Sequence, residues 1–163
     1  MSVQEEFSAV ADWLARAQRP PVRARREWAV VGVALLPLGP RFEAVRLPGR
    51  LVAAALRTAH PREIAGRLGP LLGGPVIFDG RTLDGTYYPL MRPRAERRWE
   101  YEAFAPCLGA GTYLGVPRVE RRKPPGTYWV APPRFEGDLC EPAAVAALVA
   151  HAVSAGGEGE QAQ

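Results

Sequence analysis

Apolar residues at Phe7, Val10, Ala11, Leu14 and Ala15 recur at helical spacing and predict an amphipathic helix over residues 3–18, stopping before Pro20-Pro21. The next apolar stretch, "AVVGVALLPLG" (29–39), has no polar alternation and predicts a strand covered on both faces. Beyond Gly39-Pro40, "RFEAVRLPG" (41–49) sets Phe42, Ala44 and Arg46 against Glu43, Val45 and Leu47, so the two stretches predict a hairpin that opens a sheet. Helical spacing returns over 51–56. It returns again from Pro61, with Ile64, Leu68 and Leu72 on one face and a stop at Gly73-Gly74. "PVIFDG" predicts a central strand and "TYYPLM" its antiparallel neighbour across "RTLDG". "WEYEAF" (99–104) alternates like a strand, and "GTYLGVP" and "GTYWVAP" supply the last two. The closing helix is expected over 141–153, with a stripe of Val145, Leu148 and Val149.

Helix, many strands, helix is an α+β order: a largely antiparallel sheet of about six or seven strands, N- and C-terminal helices and a central helical pair. One domain is expected over residues 1–154, with 155–163 a disordered tail that lacks an apolar anchor. Gly-Thr-Tyr occurs at Gly85, Gly111 and Gly126 without a fixed period, so it is not a repeat unit. Its local reading is a glycine at positive φ closing a turn, after which threonine and tyrosine enter the sheet.

Composition narrows the function classes. The 163 residues are 47% hydrophobic and 23% charged, ordinary for a folded domain. Lys123 is the single lysine among 21 basic residues, and this arginine excess fits either GC-rich coding or bidentate contacts to phosphate and carboxylate. Arg16, Arg19, Arg23, Arg25 and Arg26 crowd the end of the first helix, where cations complement its dipole. Cys107 and Cys140 have no metal-ligand spacing and are expected as buried thiols. The apolar run 28–36 is too short to span a bilayer and no leader pattern opens the chain, so a cytoplasmic protein without a membrane partner is expected.

Signatures of catalysis are thin. Ser2, Ser8 and Ser154 lie near the chain ends, away from any nucleophile-elbow pattern with His60 or His151. Neither a phosphate-binding loop of the GxxxxGK[ST] type nor a dinucleotide fingerprint is present. Carboxylates that could hold magnesium are Asp79 and Asp84, which flank a turn, Glu100 and Glu102, and Glu43, which stands alone. Turn chemistry accounts equally well for the two aspartates. Glu100 and Glu102 share one face of the strand predicted there, a solvated face beside Arg97 and Arg98. Two basic clusters remain, Arg92, Arg94, Arg97 and Arg98, then Arg118, Arg121, Arg122 and Lys123. The second falls in a predicted hairpin loop flanked by Tyr113, Tyr128 and Trp129, a composition that can hold single-stranded nucleic acid by phosphate contact and base stacking.

"WAVVGVALLPLGPRFEAVRLPG", "GPVIFDGRTLDGTYYPLMRP" and "LGAGTYLGVPRVERRKPPGTYWV" together resemble, in order, the core of the bifunctional DNA primase/polymerase domains of the archaeo-eukaryotic primase superfamily, in their small actinobacterial form. The resemblance covers roughly residues 28–132 and is carried best by Gly109, Gly111, Tyr113, Val116, Pro117, Gly126, Tyr128 and Trp129. It implies a metal strand with an Asp-x-Asp pair and a later histidine for nucleotide phosphates. This chain instead has "FEAVRLPG", with Glu43 its only acid, and Tyr87 in the histidine's place. Two-metal phosphoryl transfer needs carboxylates to hold its cations. The resemblance therefore implies a catalytically degenerate domain without cofactor, one that retains weak binding of single-stranded nucleic acid or nucleotide. The candidate residues are Arg118, Arg121, Arg122, Lys123, Arg94, Arg97, Arg98, Tyr113 and Tyr128. Two readings stand beside it. One is a protein-interaction module using exposed apolar residues such as Leu114 and Trp129. The other is a magnesium-dependent nucleotidyltransferase built on Glu43, Asp79 and Asp84.

Overall fold

The computed structural model describes residues 2–161, without the side chains of Glu96, Arg97 and residues 157–161. Its elements run α1 (Val3–Ala15), α2 (Val22–Val31), β1 (Val33–Pro37), β2 (Glu43–Val45), β3 (Leu47–Pro48), α3 (Gly49–Leu56), α4 (Pro61–Leu72), β4 (Val76–Asp79) and β5 (Thr86–Met91). A 3-10 turn over Ala95–Arg98 follows, then β6 (Cys107–Leu108), β7 (Tyr113–Pro117), β8 (Thr127–Ala131) and α5 (Pro142–Gln161). The fold is α+β. Six strands form one sheet in the order β6-β2-β5-β4-β8, with β3 also on β5, while β1 and β7 form a separate antiparallel ribbon.

Period-2 alternation gives the large sheet two buried faces. Val45, Leu47, Val76, Tyr87 and Met91 meet α3, α4 and α5 on one side. Their neighbours Ala44, Ile77, Leu90 and Trp129 meet α1, α2 and the β1-β7 ribbon on the other. Local signals set the helix ends as expected. Ser2 and Glu5 form a capping box on α1, Pro61 opens α4, and Gly73 closes it at φ 75. The Gly-Thr-Tyr reading also holds, since Gly85, Gly111 and Gly126 have φ of 73, 92 and 81 and lead into β5, β7 and β8.

Other expectations need correction. Residues 29–39 are not one strand, because α2 occupies Val22–Val31 and Gly32, at φ 78, breaks it before β1. Nor is β1 covered on both faces. Ala34 and Leu36 are buried while Leu35 is 58% exposed. The β1-β2 hairpin does not form. β1 pairs with β7, 80 residues downstream (Leu35 opposite Gly115), and β2 pairs with β5 and β6. The free edge of β1 is closed by side chains, with Gln18 Nε2 donating to the Leu35 carbonyl at 2.8 Å and the Leu35 N–H donating to Glu27 Oε2 at 2.8 Å.

Residues 99–104 form turns rather than a strand. Their polar groups are spent locally: the Trp99 indole donates to the Ala105 carbonyl at 2.7 Å, and Glu102 accepts from the Cys107 N–H at 2.9 Å. The large sheet nonetheless has six strands, within the six or seven expected, and the ribbon brings the described strands to eight in two sheets. The last helix continues past Val153 to Gln161, into the segment read as a disordered tail, of which Ala162 and Gln163 lie outside the described residues.

Gly49 is where β3 turns into α3 against the β4-β5 turn. A Cβ there would stand 1.9 Å from the Asp84 carbonyl oxygen and 2.9 Å from that of Gly85. Gly49→Ala is therefore expected to destabilise the chain by about 2–3 kcal/mol through overpacking against backbone. A lowered denaturant midpoint at unchanged slope checks this.

Candidate functional site

Two acids on the large sheet, Glu43 and Asp79, and a third in the β4-β5 turn, Asp84, test whether a metal centre exists. Glu43 lies opposite Met91 and Asp79 opposite Thr86, at the two ends of β5. Five residues of strand separate them by roughly 17 Å, and an odd offset sends their side chains to opposite faces. Asp79 is further engaged. Its Oδ1 accepts from the Arg81 backbone N–H at 3.0 Å and from Nε at 2.9 Å, and its Oδ2 accepts from the Arg81 guanidinium at 3.0 Å. Asp84 stands exposed in the turn at φ 64. The sequence set Glu43, Asp79 and Asp84 is thus not brought together. Among the described residues, no group of three His, Cys, Asp or Glu side chains is arranged to hold a metal ion.

The basic segment between β7 and β8 also differs from its reading as a hairpin loop. β7 belongs to the ribbon and β8 to the large sheet, so residues 118–126 connect two sheets. Arg121 is a strut: its guanidinium reaches the Val31 carbonyl at 3.5 Å and the Pro125 carbonyl at 3.4 Å, tying α2 to the connection. Arg122 lies over the Phe7 ring at 5.8 Å. Arg118, Arg122 and Lys123 stay exposed, and none of the three makes an ion pair among the described residues.

The aromatics expected to flank this segment lie elsewhere. Tyr113 is 63% exposed but starts β7, roughly 17 Å along the strand from Arg118. Tyr128 packs on Phe78 at 5.4 Å, and Phe78 on Tyr87 at 4.8 Å. Burial pushes the Tyr87 hydroxyl up to about 12, so the residue in the expected histidine position stays a neutral phenol. Leu114 and Trp129, offered as exposed apolar residues, are 6% and 1% exposed.

The other basic cluster does converge. After β5 the chain passes through Arg92 and Arg94 into the 3-10 turn with Arg98, then Trp99 and Tyr101. Arg92, Arg94, Arg98, Trp99 and Tyr101 line one cleft of about 590 Å³ against the first turn of α5. Glu100 is its acidic wall residue. The two rings meet edge to face at 5.8 Å. None of the three arginines makes an ion pair among the described residues. Arg94 is held at φ 69, a left-handed backbone that costs a non-glycine residue about 1 kcal/mol or more and concentrates at functional sites. The start of α5 adds the positive end of a helix dipole. Arg97, the remaining candidate of this cluster, has a side chain outside the described residues. The sequence reading grouped Arg92 with these arginines but missed Trp99 and Tyr101 as their partners because it placed 99–104 in a strand. The signal was the run of arginines followed directly by Trp99.

The arginine hydrogen bonds hold the Asp79 carboxyl below its ordinary value. A depressed carboxyl stabilises the fold above its unfolded value of 3.8, and that contribution is lost as pH falls through the lower folded value. Asp79→Asn is expected to cost about 1 kcal/mol at neutral pH, reduced by the solvent exposure of Arg81. The gap to the parent chain should close below about pH 4. Denaturant unfolding across pH measures it.

Set against known proteins, the chain matches no family model, no curated protein and no solved structure. The arginine–aromatic cleft beside α5 is the feature on which a functional reading rests.

Proposed function

We propose that this chain is a primase/polymerase-like domain without phosphoryl-transfer chemistry that binds single-stranded nucleic acid. One observation supports this reading above the others: Arg92, Arg94 and Arg98, unpaired among the described residues, share a cleft with Trp99 and Tyr101. Guanidinium forks take phosphate oxygens bidentately, and the aromatic rings offer a face for an unstacked base. The first turn of α5 adds backbone polarity that favours an anion. The separation of Glu43 from Asp79 supports the absence of polymerase chemistry, because a cation pair has no common carboxylate support. Leu114 and Trp129, the two apolar residues named for a protein-interaction or regulatory module, are buried and give that reading no support.

The test is a titration of a labelled single-stranded oligonucleotide at two salt concentrations. Three phosphate contacts on a single strand give a slope near −2, so affinity should fall about twentyfold between 50 and 200 mM salt. Arg94→Gln/Arg98→Gln should weaken binding by about tenfold and flatten the slope, and Tyr101→Ala should weaken it with the slope unchanged. An absence of binding at low salt defeats the reading.

A further inference from the structure

A second group of arginines is assembled from segments distant in sequence, on the opposite side of the large sheet from the α5 cleft. Arg16 caps α1, Arg19 lies in the link to α2, Arg23 is in the first turn of α2, and Arg41 comes from the loop before β2. All four line one concavity of about 350 Å³ with Tyr113, whose ring is 63% exposed at the start of β7. The floor is fixed by Gln18, 8% exposed, whose amide is spent on the Leu35 carbonyl.

The charge here is unbalanced. Of the carboxylates of this region, Asp12 pairs with Arg25 and Glu27 accepts from the Leu35 N–H, while Glu136 pairs with Arg16 of the concavity at 3.4 Å with both side chains about half exposed. Arg19, Arg23 and Arg41 have no anionic partner among the described residues. Helix polarity makes the imbalance worse. The sequence reading set these arginines at a helix C-terminus, but Arg23, Arg25 and Arg26 lie in the opening turns of α2, where the dipole is positive and cations are disfavoured. Pro21, the cap residue, supplies no side-chain acceptor. Several guanidinium groups around a small hollow with a phenol at the rim match a compact anion that presents many oxygens at once.

We propose that this concavity is a binding site for an oligophosphate group, separate from the α5 cleft. Its source is either a free inorganic polyphosphate or the phosphate chain of a nucleotide whose base rests on Tyr113.

The test is calorimetric titration of the full chain at low ionic strength with tripolyphosphate, orthophosphate and adenosine triphosphate. Tripolyphosphate is expected to bind saturably, and orthophosphate about tenfold more weakly or worse, because it reaches fewer guanidinium groups. Arg19→Gln/Arg23→Gln/Arg41→Gln, all at exposed positions, should weaken tripolyphosphate about tenfold, and Arg41→Gln alone, in a loop, about threefold. Arg94→Gln/Arg98→Gln should leave it unchanged, so this site and the α5 cleft succeed or fail separately. The proposal is overturned by no saturable tripolyphosphate binding, by equal affinity for orthophosphate, by arginine variants at this concavity that bind like the parent, or by loss in the Arg94/Arg98 variant. Between sources, tighter binding of the nucleotide that disappears in Tyr113→Ala identifies a nucleotide. Equal or weaker binding of the nucleotide identifies the inorganic chain. Either result upholds the site.

Discussion

Two buried tryptophans hold the ribbon to the rest of the molecule. The Trp28 indole donates to the Val116 carbonyl at 2.8 Å and the Trp129 indole to the adjacent Pro117 carbonyl at 2.9 Å. Consecutive carbonyls of a strand point to opposite edges, so β7 is gripped from α2 on one side and from β8 on the other. A buried indole N–H left without an acceptor would cost about 1–3 kcal/mol, so both positions are specified by more than volume. This clamp sets the ribbon over one face of the six-stranded sheet and anchors both ends of the 118–126 connection. With that connection fixed, Arg121 can act as a strut, and the start of β7 brings Tyr113 beside the arginines of α1 and α2.

Local chemistry was legible in the sequence and long-range pairing was not. Pro61, Gly73 and the three Gly-Thr-Tyr turns carry their conformations in single residues, and the β4-β5 hairpin joins adjacent segments. The stretch around Gly32 was misread because apolar residues run through it without period, which fits a buried strand and a helix equally. The partner of β1 lies 80 residues away and leaves no mark on residues 33–37. "WEYEAF" imitates a strand by alternation, but Trp99 and Glu102 each satisfy a backbone group within six residues and hold the segment in turns.

The candidate site was half legible for a related reason. Sequence shows where arginines are, but not which are already engaged. Arg67 donates to the Leu56 carbonyl at 2.8 Å, Arg81 holds Asp79, Arg121 bridges two carbonyls, and Arg134 holds the nearly buried Asp138 while reaching the Gly73 carbonyl at 3.0 Å. These guanidinium groups close turns and helix ends, work that suits a planar donor with five N–H groups. An arginine count, and even an arginine cluster, therefore overstates binding capacity. In the 118–123 cluster, the more conspicuous in sequence, Arg121 is spent on two carbonyls and Arg122 lies over Phe7, while Arg118 and Lys123 stay exposed.

The same distinction bears on how a domain of this shape could act without metal-held chemistry. A carboxylate in the large sheet faces a packed layer on either side and is stabilised there only by a partner, as Arg81 stabilises Asp79. Register then separates Glu43 from Asp79 along β5, so no shift of one side chain would unite them. Two groups of arginines without ion pairs among the described residues lie instead where the covering layers end, at the first turn of α5 on one face and at the α1-α2 junction on the other. At each rim part of the set is carried by a helical element, Arg98 by the 3-10 turn before β6 and Arg23 by α2, and a side chain on such an element loses less freedom on meeting an anion than one on a free loop would.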